Sequence, residues 1–171
     1  RLRGFQGAVD LGRLLGRNII HYPGFTQYFL KKRASCILYE AGFSAENVLV
    51  LADIVVKHWF WLDIYEIKRA KELTDVFLRD AAIQYYVTKK SGPYRVRSIN
   101  VILKDDSKHS GYRILNVTRK VRKILKQVKQ EIRDCKQVLR NGSVPDIAMG
   151  EQCDTPYECQ FKAFCRVTGS M

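Results

Sequence analysis

No apolar run in this sequence approaches the roughly 18 residues needed to cross a bilayer. The richest stretch, Val48–Val56, is stopped by Lys57. No membrane-spanning helix is therefore expected, and no membrane partner. The opening residues Arg-Leu-Arg-Gly-Phe lack an apolar h-region, which predicts no secretory signal and a cytoplasmic location. Internal repeats and low-complexity linkers are also missing. Acidic residues are scarce beside basic ones, 17 Asp and Glu against 30 Lys and Arg, which leaves a formal charge of +13. Such an excess attracts polyanions, because neutralising phosphates releases condensed counterions. Nucleic acid is the first partner to consider. The three histidines, at 21, 58 and 109, match no metal-ligand spacing.

Cysteines are few and odd in number: 36, 135, 153, 159 and 165. That argues against a disulfide framework. Cys36 sits in the apolar run Ser-Cys-Ile-Leu-Tyr, and Cys135 falls on the apolar stripe of a helix; both are expected to be buried thiols. Cys153, Cys159 and Cys165 stand with five residues between neighbours, which is neither the C-x₂-C of zinc ribbons nor a ferredoxin run. Ordinary packing and convergence on one metal both remain open for them.

What is present is enough for one well-buried core and too little for two ordinary domains, at 171 residues. Phe5–Leu15 reads as a helix containing Gly7 and Gly12, which cost about 1 kcal/mol each in a helix interior and so suggest close backbone packing. Pro23 opens a second helix to about Lys32. Ser35–Phe43, Val48–Lys57 and Trp59–Ala70 are rich in β-formers and separated by polar breaks at 44–47 and around Lys57-His58, predicting a three-stranded antiparallel meander. Leu73–Lys90 returns to a helical pattern, stopped by Ser91-Gly92-Pro93. Val96–Lys104 is a further strand, and Tyr112–Val117 a candidate one. Thr118–Asn141 is a long amphipathic helix. Its stripe is Val121, Ile124, Val128, Ile132, Cys135 and Val138; Arg119, Lys120, Arg122, Lys123, Lys126, Lys129, Arg133 and Lys136 cover the other faces. The expected organisation is a core at 1–117, the basic helix of the same domain at 118–141, and a Cys-bearing tail at 142–171.

The stretch that carries chemistry is Ala52-Asp53-Ile54-Val55-Val56 followed by Tyr65-Glu66-Ile67-Lys68. Strand side chains alternate, so Glu66 and Lys68 share one face, and an antiparallel neighbour can bring Asp53 opposite them. Two carboxylates and an ammonium in a partly apolar sheet are costly unless paired or metal-bound. Asp53 and Glu66 offer hard oxygens suited to Mg²⁺ or Mn²⁺. Lys68 would orient an attacking water. An exposed Glu–Lys pair on a half-solvated strand is the plainer alternative. The basic helix is a candidate contact for phosphates. Tyr85, Tyr86, Trp59 or Trp61 could stack on bases of a single strand or serve the core.

The Asp, the E-x-K and a following helix bearing Gln84-Tyr85-Tyr86 resemble the RecB-like branch of PD-(D/E)XK nucleases. The segments Ala-Asp-Ile-Val-Val, Glu-Ile-Lys, Leu-Arg-Asp-Ala-Ala-Ile-Gln-Tyr-Tyr-Val and the tail Val144 to Cys165 look like an uncharacterised bacterial family within it. That family is related to the nucleases of CRISPR spacer acquisition, and the likeness covers about residues 4 to 165. It implies an α/β, restriction-endonuclease-like core: helix, three-strand meander, helix, strand, then a C-terminal helix and Cys tail. It implies a Mg²⁺- or Mn²⁺-dependent nuclease, of exonuclease or flap type, acting on single-stranded DNA or duplex ends.

The resemblance places Asp53, Glu66 and the Ile67 backbone carbonyl on the metal, and Lys68, Gln84 and Tyr85 (or Tyr86) beside it. The usual Gln-to-Tyr spacing would fall on Thr88. It further implies that Cys153, Cys159 and Cys165 hold an iron–sulfur cluster, [4Fe-4S], or zinc, with a fourth cysteine ahead of the first helix. This sequence starts at Arg1 and has none there. In the first helix, where such enzymes place a His or an acid, Asp10 is the one substitute, and a solvated Asp on an exposed helix face is its plainer reading. The alternatives are a non-catalytic nucleic-acid-binding module on the same fold, and a structural metal protein in which the cysteine tail matters.

Overall fold

The structure, a computed structural model, describes residues 7–168. Among the described residues six strands form one mixed sheet in the order β1 to β6: β1 (Val9–Asp10), β2 (Ser35–Ala45), β3 (Val48–His58), β4 (Trp61–Lys68), β5 (Arg95–Lys104) and β6 (Tyr112–Asn116). The helices are α1 (Leu11–Leu15), α2 (Tyr22–Lys32), α3 (Asp75–Lys90), α4 (Thr118–Asn141) and α5 (Lys162–Thr168). Two compact units are present, dividing between Val128 and Lys129. Among the described residues no helix is long and apolar enough to cross a membrane.

The antiparallel meander expected from the alternating pattern is there. β2 pairs with β3, and β3 with β4, both antiparallel. The first turn consists of Glu46 and Asn47 alone, both left-handed at φ 52° and 60°. That is the backbone of a two-residue hairpin turn, whose twist matches the flanking strands. β4 and β5 run parallel, which demands a crossover, and α3 supplies it. β6 then returns antiparallel to β5.

Helix α2 buries Tyr22, Thr26 and Leu30, four residues apart and therefore on one stripe. It sits close to β2: a Cβ built on Gly42 would lie 2.4 Å from Tyr22 Cβ. The Gly42 N–H donates to Thr26 Oγ1 at 2.9 Å. The last turn of α2 is closed by Lys57, which looks in the sequence like a mere strand terminator. Its buried Nζ donates to the Leu30 carbonyl at 2.5 Å and the Arg33 carbonyl at 2.6 Å. A cation at a helix C-terminus satisfies orphan carbonyls and complements the dipole. Burial holds the ammonium below its usual range.

Several expectations are corrected. The first helix starts at Leu11, not Phe5; Val9–Asp10 is a strand paired with β2, and Asp10 caps the helix by accepting from Arg13 N–H at 3.0 Å. Gly7 stands outside it with φ 81°, and Phe5 lies outside the described residues. The β3–β4 break falls at Trp59-Phe60, since β3 keeps Lys57 and His58. In α4 the apolar stripe is buried at Val121 and Val128, but Val138 is exposed and so is Cys135. Cys36 is buried as expected. The tail, read as aperiodic, contains a short 3₁₀ turn at Glu151–Cys153 and the helix α5.

Candidate active site

The β3–β4 ladder ends at Ile54 opposite Tyr65. One residue further on, Asp53 reaches across with its side chain: Oδ2 accepts the Ile67 backbone N–H at 2.6 Å. The N–H and C=O of a strand residue lie on the same edge, so the Ile67 carbonyl faces β3 as well.

Glu66 is buried, at 7% exposure. Its Oε2 accepts from Gln84 Nε2 at 2.6 Å and its Oε1 from Lys68 Nζ at 2.9 Å. Burial pushes the Glu66 carboxyl above its usual range; the hydrogen bonds from Gln84 and Lys68 act against that, while the nearby Asp53 charge adds to it. Burial would lower the Lys68 ammonium, but the Asp80 and Glu66 carboxylates hold it above its usual range. Glu66, Lys68 and Gln84 are thus one hydrogen-bonded group, and Asp53, bonded to the Ile67 amide, acts on Glu66 through its charge.

Tyr85 is not joined to that group by any of these bonds. It is buried on α3, and its hydroxyl accepts from Arg122 Nε on α4 at 3.4 Å. Tyr86 donates to Glu46 Oε2 at 2.8 Å, tying α3 to the first hairpin turn. Thr88 is buried, and its hydroxyl has no hydrogen-bond partner among the described residues. Among the described residues the Gln84 Oε1 is likewise buried without one.

Two carboxylates join the site that the sequence reading did not single out for it. Asp80, one helical turn before Gln84, is bonded to Lys68 Nζ. The i, i+4 spacing of Asp80 and Gln84 was the available signal. Glu40 stands between the pairs Tyr39–Ile54 and Ala41–Ala52, hence opposite Asp53, with a left-handed φ of 54°. Burial, Asp53 and Asp10 together raise its carboxyl above the usual range. Asp10, Glu40, Asp53 and Ile67 line one open pocket with Arg13 and Arg69. Asp10 is therefore placed beside Asp53, although it also serves as the cap of α1.

Asp53, Glu66 and the Ile67 carbonyl are the oxygens that could hold a hard divalent cation, with Glu66 engaged by Lys68 and Gln84 and Asp53 Oδ2 by the Ile67 amide. Burial, with the nearby Asp53 charge adding to it, raises the Glu66 carboxyl. Among the described residues no group of three or more His, Cys, Asp or Glu side chains is arranged to hold a metal ion by itself. Of the tail cysteines, Cys153 is buried and Cys159 and Cys165 are half-buried; the Cys159 N–H donates to the Cys153 carbonyl at 2.8 Å. Cys36 is enclosed in β2, where burial pushes its thiol up, which makes it a poor fourth ligand.

Away from this site, the β3–β4 turn displays Trp59, Phe60 and Trp61, all exposed. It is pinned on both sides, by Trp59 N–H to the Ala34 carbonyl at 2.8 Å and Arg95 N–H to the Phe60 carbonyl at 2.9 Å. The Arg95 guanidinium lies 5.7 Å from the Trp61 ring centroid.

No model of a known protein family matches this chain. No curated protein matches it either.

Proposed function

We propose that this chain is a nuclease of the PD-(D/E)XK type, hydrolysing DNA phosphodiester bonds with Mg²⁺ or Mn²⁺. One observation carries the reading: Asp53 on β3 is fixed against the β4 backbone beside Glu66, with Lys68 bonded to that same Glu66. The order helix, antiparallel meander, crossover helix and parallel strand agrees with the restriction-endonuclease-like core that the sequence resemblance implies.

Asp53, Glu66 and the Ile67 carbonyl would hold the cation, which supplies Lewis acidity and neutralises charge gathering on the phosphate. Lys68 orients the attacking water and stabilises the developing charge. Gln84 keeps the Glu66 carboxylate in place through its 2.6 Å bond. Tyr85 is given no catalytic role; it supports α3 against α4 through its bond with Arg122.

The exposed cations Arg119, Lys120, Arg122, Lys123 and Lys126 on α4 would contact phosphates without reading sequence. Trp59, Phe60 and Trp61 would offer faces to unstacked bases. Cys153, Cys159 and Cys165 would take an iron–sulfur cluster or zinc once a fourth ligand is supplied. Metal analysis with an absorption spectrum of anaerobically purified protein separates those two.

Purified protein with Mn²⁺ is expected to degrade labelled single- or double-stranded DNA, and Asp53→Ala to abolish it. Salt-sensitive DNA binding without cleavage under either metal, unaffected by Asp53→Ala, would instead favour a non-catalytic binding module.

A further inference from the structure

Lys68 is shared. Its ammonium contacts Glu66 Oε1 on its own strand and Asp80 Oδ2 on α3, and it lies 5.5 Å from the Phe77 ring centroid. Phe77, Asp80 and Gln84 follow one another at spacings of three and four, so α3 lays a ring, an acid and an amide along one face toward the end of β4. The two acids differ in setting. The Glu66 side chain is 9% exposed, while that of Asp80 is 42% exposed. Glu66 also has its second oxygen engaged by Gln84.

This arrangement has a consequence for any cation at Asp53 and Glu66. The oxygen that Lys68 takes, Glu66 Oε1, belongs to a carboxylate that the cation needs. An ammonium and a metal ion compete for the same lone pairs. A second acid that already holds the ammonium eases its displacement from Glu66.

We propose that Asp80 is a positioning residue that shares the Lys68 ammonium with Glu66, so that a divalent cation can displace the ammonium from Glu66 while Asp80 keeps it. The proposal rests on the metal-dependent reading of the site given above. It gives Asp80 a role that acts through Lys68 rather than through contact with the cation or the substrate. With Asp80 neutralised, the ammonium pairs with Glu66 alone and the cation must displace it.

The test measures Mn²⁺ binding directly, by electron paramagnetic resonance of free Mn²⁺, on the full chain without DNA. Asp80→Asn is expected to weaken binding about tenfold, and Asp80→Glu, which can still pair with Lys68, to restore most of it. The same change is then made in a Lys68→Met background, as a double-mutant cycle. If Asp80 works through Lys68, Asp80→Asn changes the Mn²⁺ affinity there by less than about twofold.

An equal loss in both backgrounds overturns the proposal, because it makes Asp80 merely a nearby negative charge. Unchanged affinity in Asp80→Asn overturns it too, while leaving the nuclease reading intact. A wild-type protein whose Mn²⁺ binding is absent, or indifferent to Asp53→Asn, overturns both. Near-ultraviolet circular dichroism of each variant checks folding, and Asp80→Ser replaces Asp80→Asn if the latter loses its native spectrum.

Discussion

Asp53 and Ile67 are joined across β3 and β4 by a carboxylate-to-amide hydrogen bond of 2.6 Å, at the point where the backbone ladder between the strands has ended. The side chain continues the sheet where the main chain stops. It also carries a negative charge to the site, and the two duties can be separated. Asp53→Asn keeps an oxygen acceptor for the Ile67 amide but removes the charge. The variant is expected to melt within a few degrees of wild type and to lose metal-dependent cleavage. Asp53→Ala should lose both cleavage and about 1 kcal/mol of stability, measured by urea unfolding.

Gln84 places an amide against a buried acid. Replacing it with Leu leaves Glu66 Oε2 without its donor in a desolvated setting. The expected cost is about 1–3 kcal/mol of folding stability, together with slower cleavage. Equal stability of Gln84→Leu and wild type in urea would show that this bond does not hold Glu66.

Gly42 is where α2 comes down on the sheet. Gly42→Ala would put a methyl group 2.4 Å from Tyr22 Cβ and 2.9 Å from the Tyr22 carbonyl carbon, with backbone on the far side. Overpacking of this kind costs about 1–3 kcal/mol. A thermal melt of the variant should show a clear loss.

Asp63 is buried beside Arg97, Ser98 and His58. Burial would raise its carboxyl, but the bonds from Arg97 and Ser98 prevail and hold it below the usual range. A depressed carboxylate stabilises the folded state above the unfolded-state pKa, about 3.9, and loses that contribution as pH falls through the lower folded-state value. Asp63→Asn should therefore be destabilised most at pH 6. The gap to wild type in urea unfolding should narrow below about pH 4.

Trp59 occupies a left-handed conformation, φ 54°, that costs a non-glycine residue about 1 kcal/mol or more. Trp59→Gly should stabilise the fold or leave it unchanged. If the aromatic turn stacks on bases, the same change weakens single-stranded oligonucleotide binding several-fold, read by fluorescence anisotropy. Unaltered binding would remove the turn from the nucleic-acid interface.

The meander and the shared face of Glu66 and Lys68 were legible in the sequence because a strand repeats every two residues and leaves no choice of side. Asp53 followed once its strand was placed as the antiparallel neighbour. Glu40 was not legible, since facing Asp53 depends on a turn of only two residues, Glu46 and Asn47, within a four-residue polar break. One residue of slip would have moved it to the other face. Asp80 was hidden for a related reason: its partner lies on another element, and helix periodicity gives the face of α3 but not what it meets. Gln84 and Tyr85 are adjacent in sequence, yet about 100° apart around the helix. One therefore reaches Glu66 while the other meets Arg122. The exposed Cys135 carries the same lesson, for an apolar stripe does not say how far its covering surface extends.

The most direct measurement is single-turnover cleavage of an end-labelled DNA strand, with Mn²⁺ and then with excess chelator, by wild type and by Lys68→Ala. Metal-dependent cleavage by the wild type and a loss of about a hundredfold or more in Lys68→Ala is the predicted result. Failure of the wild type to cleave single- or double-stranded DNA with either Mg²⁺ or Mn²⁺, or equal cleavage by Lys68→Ala, would contradict it.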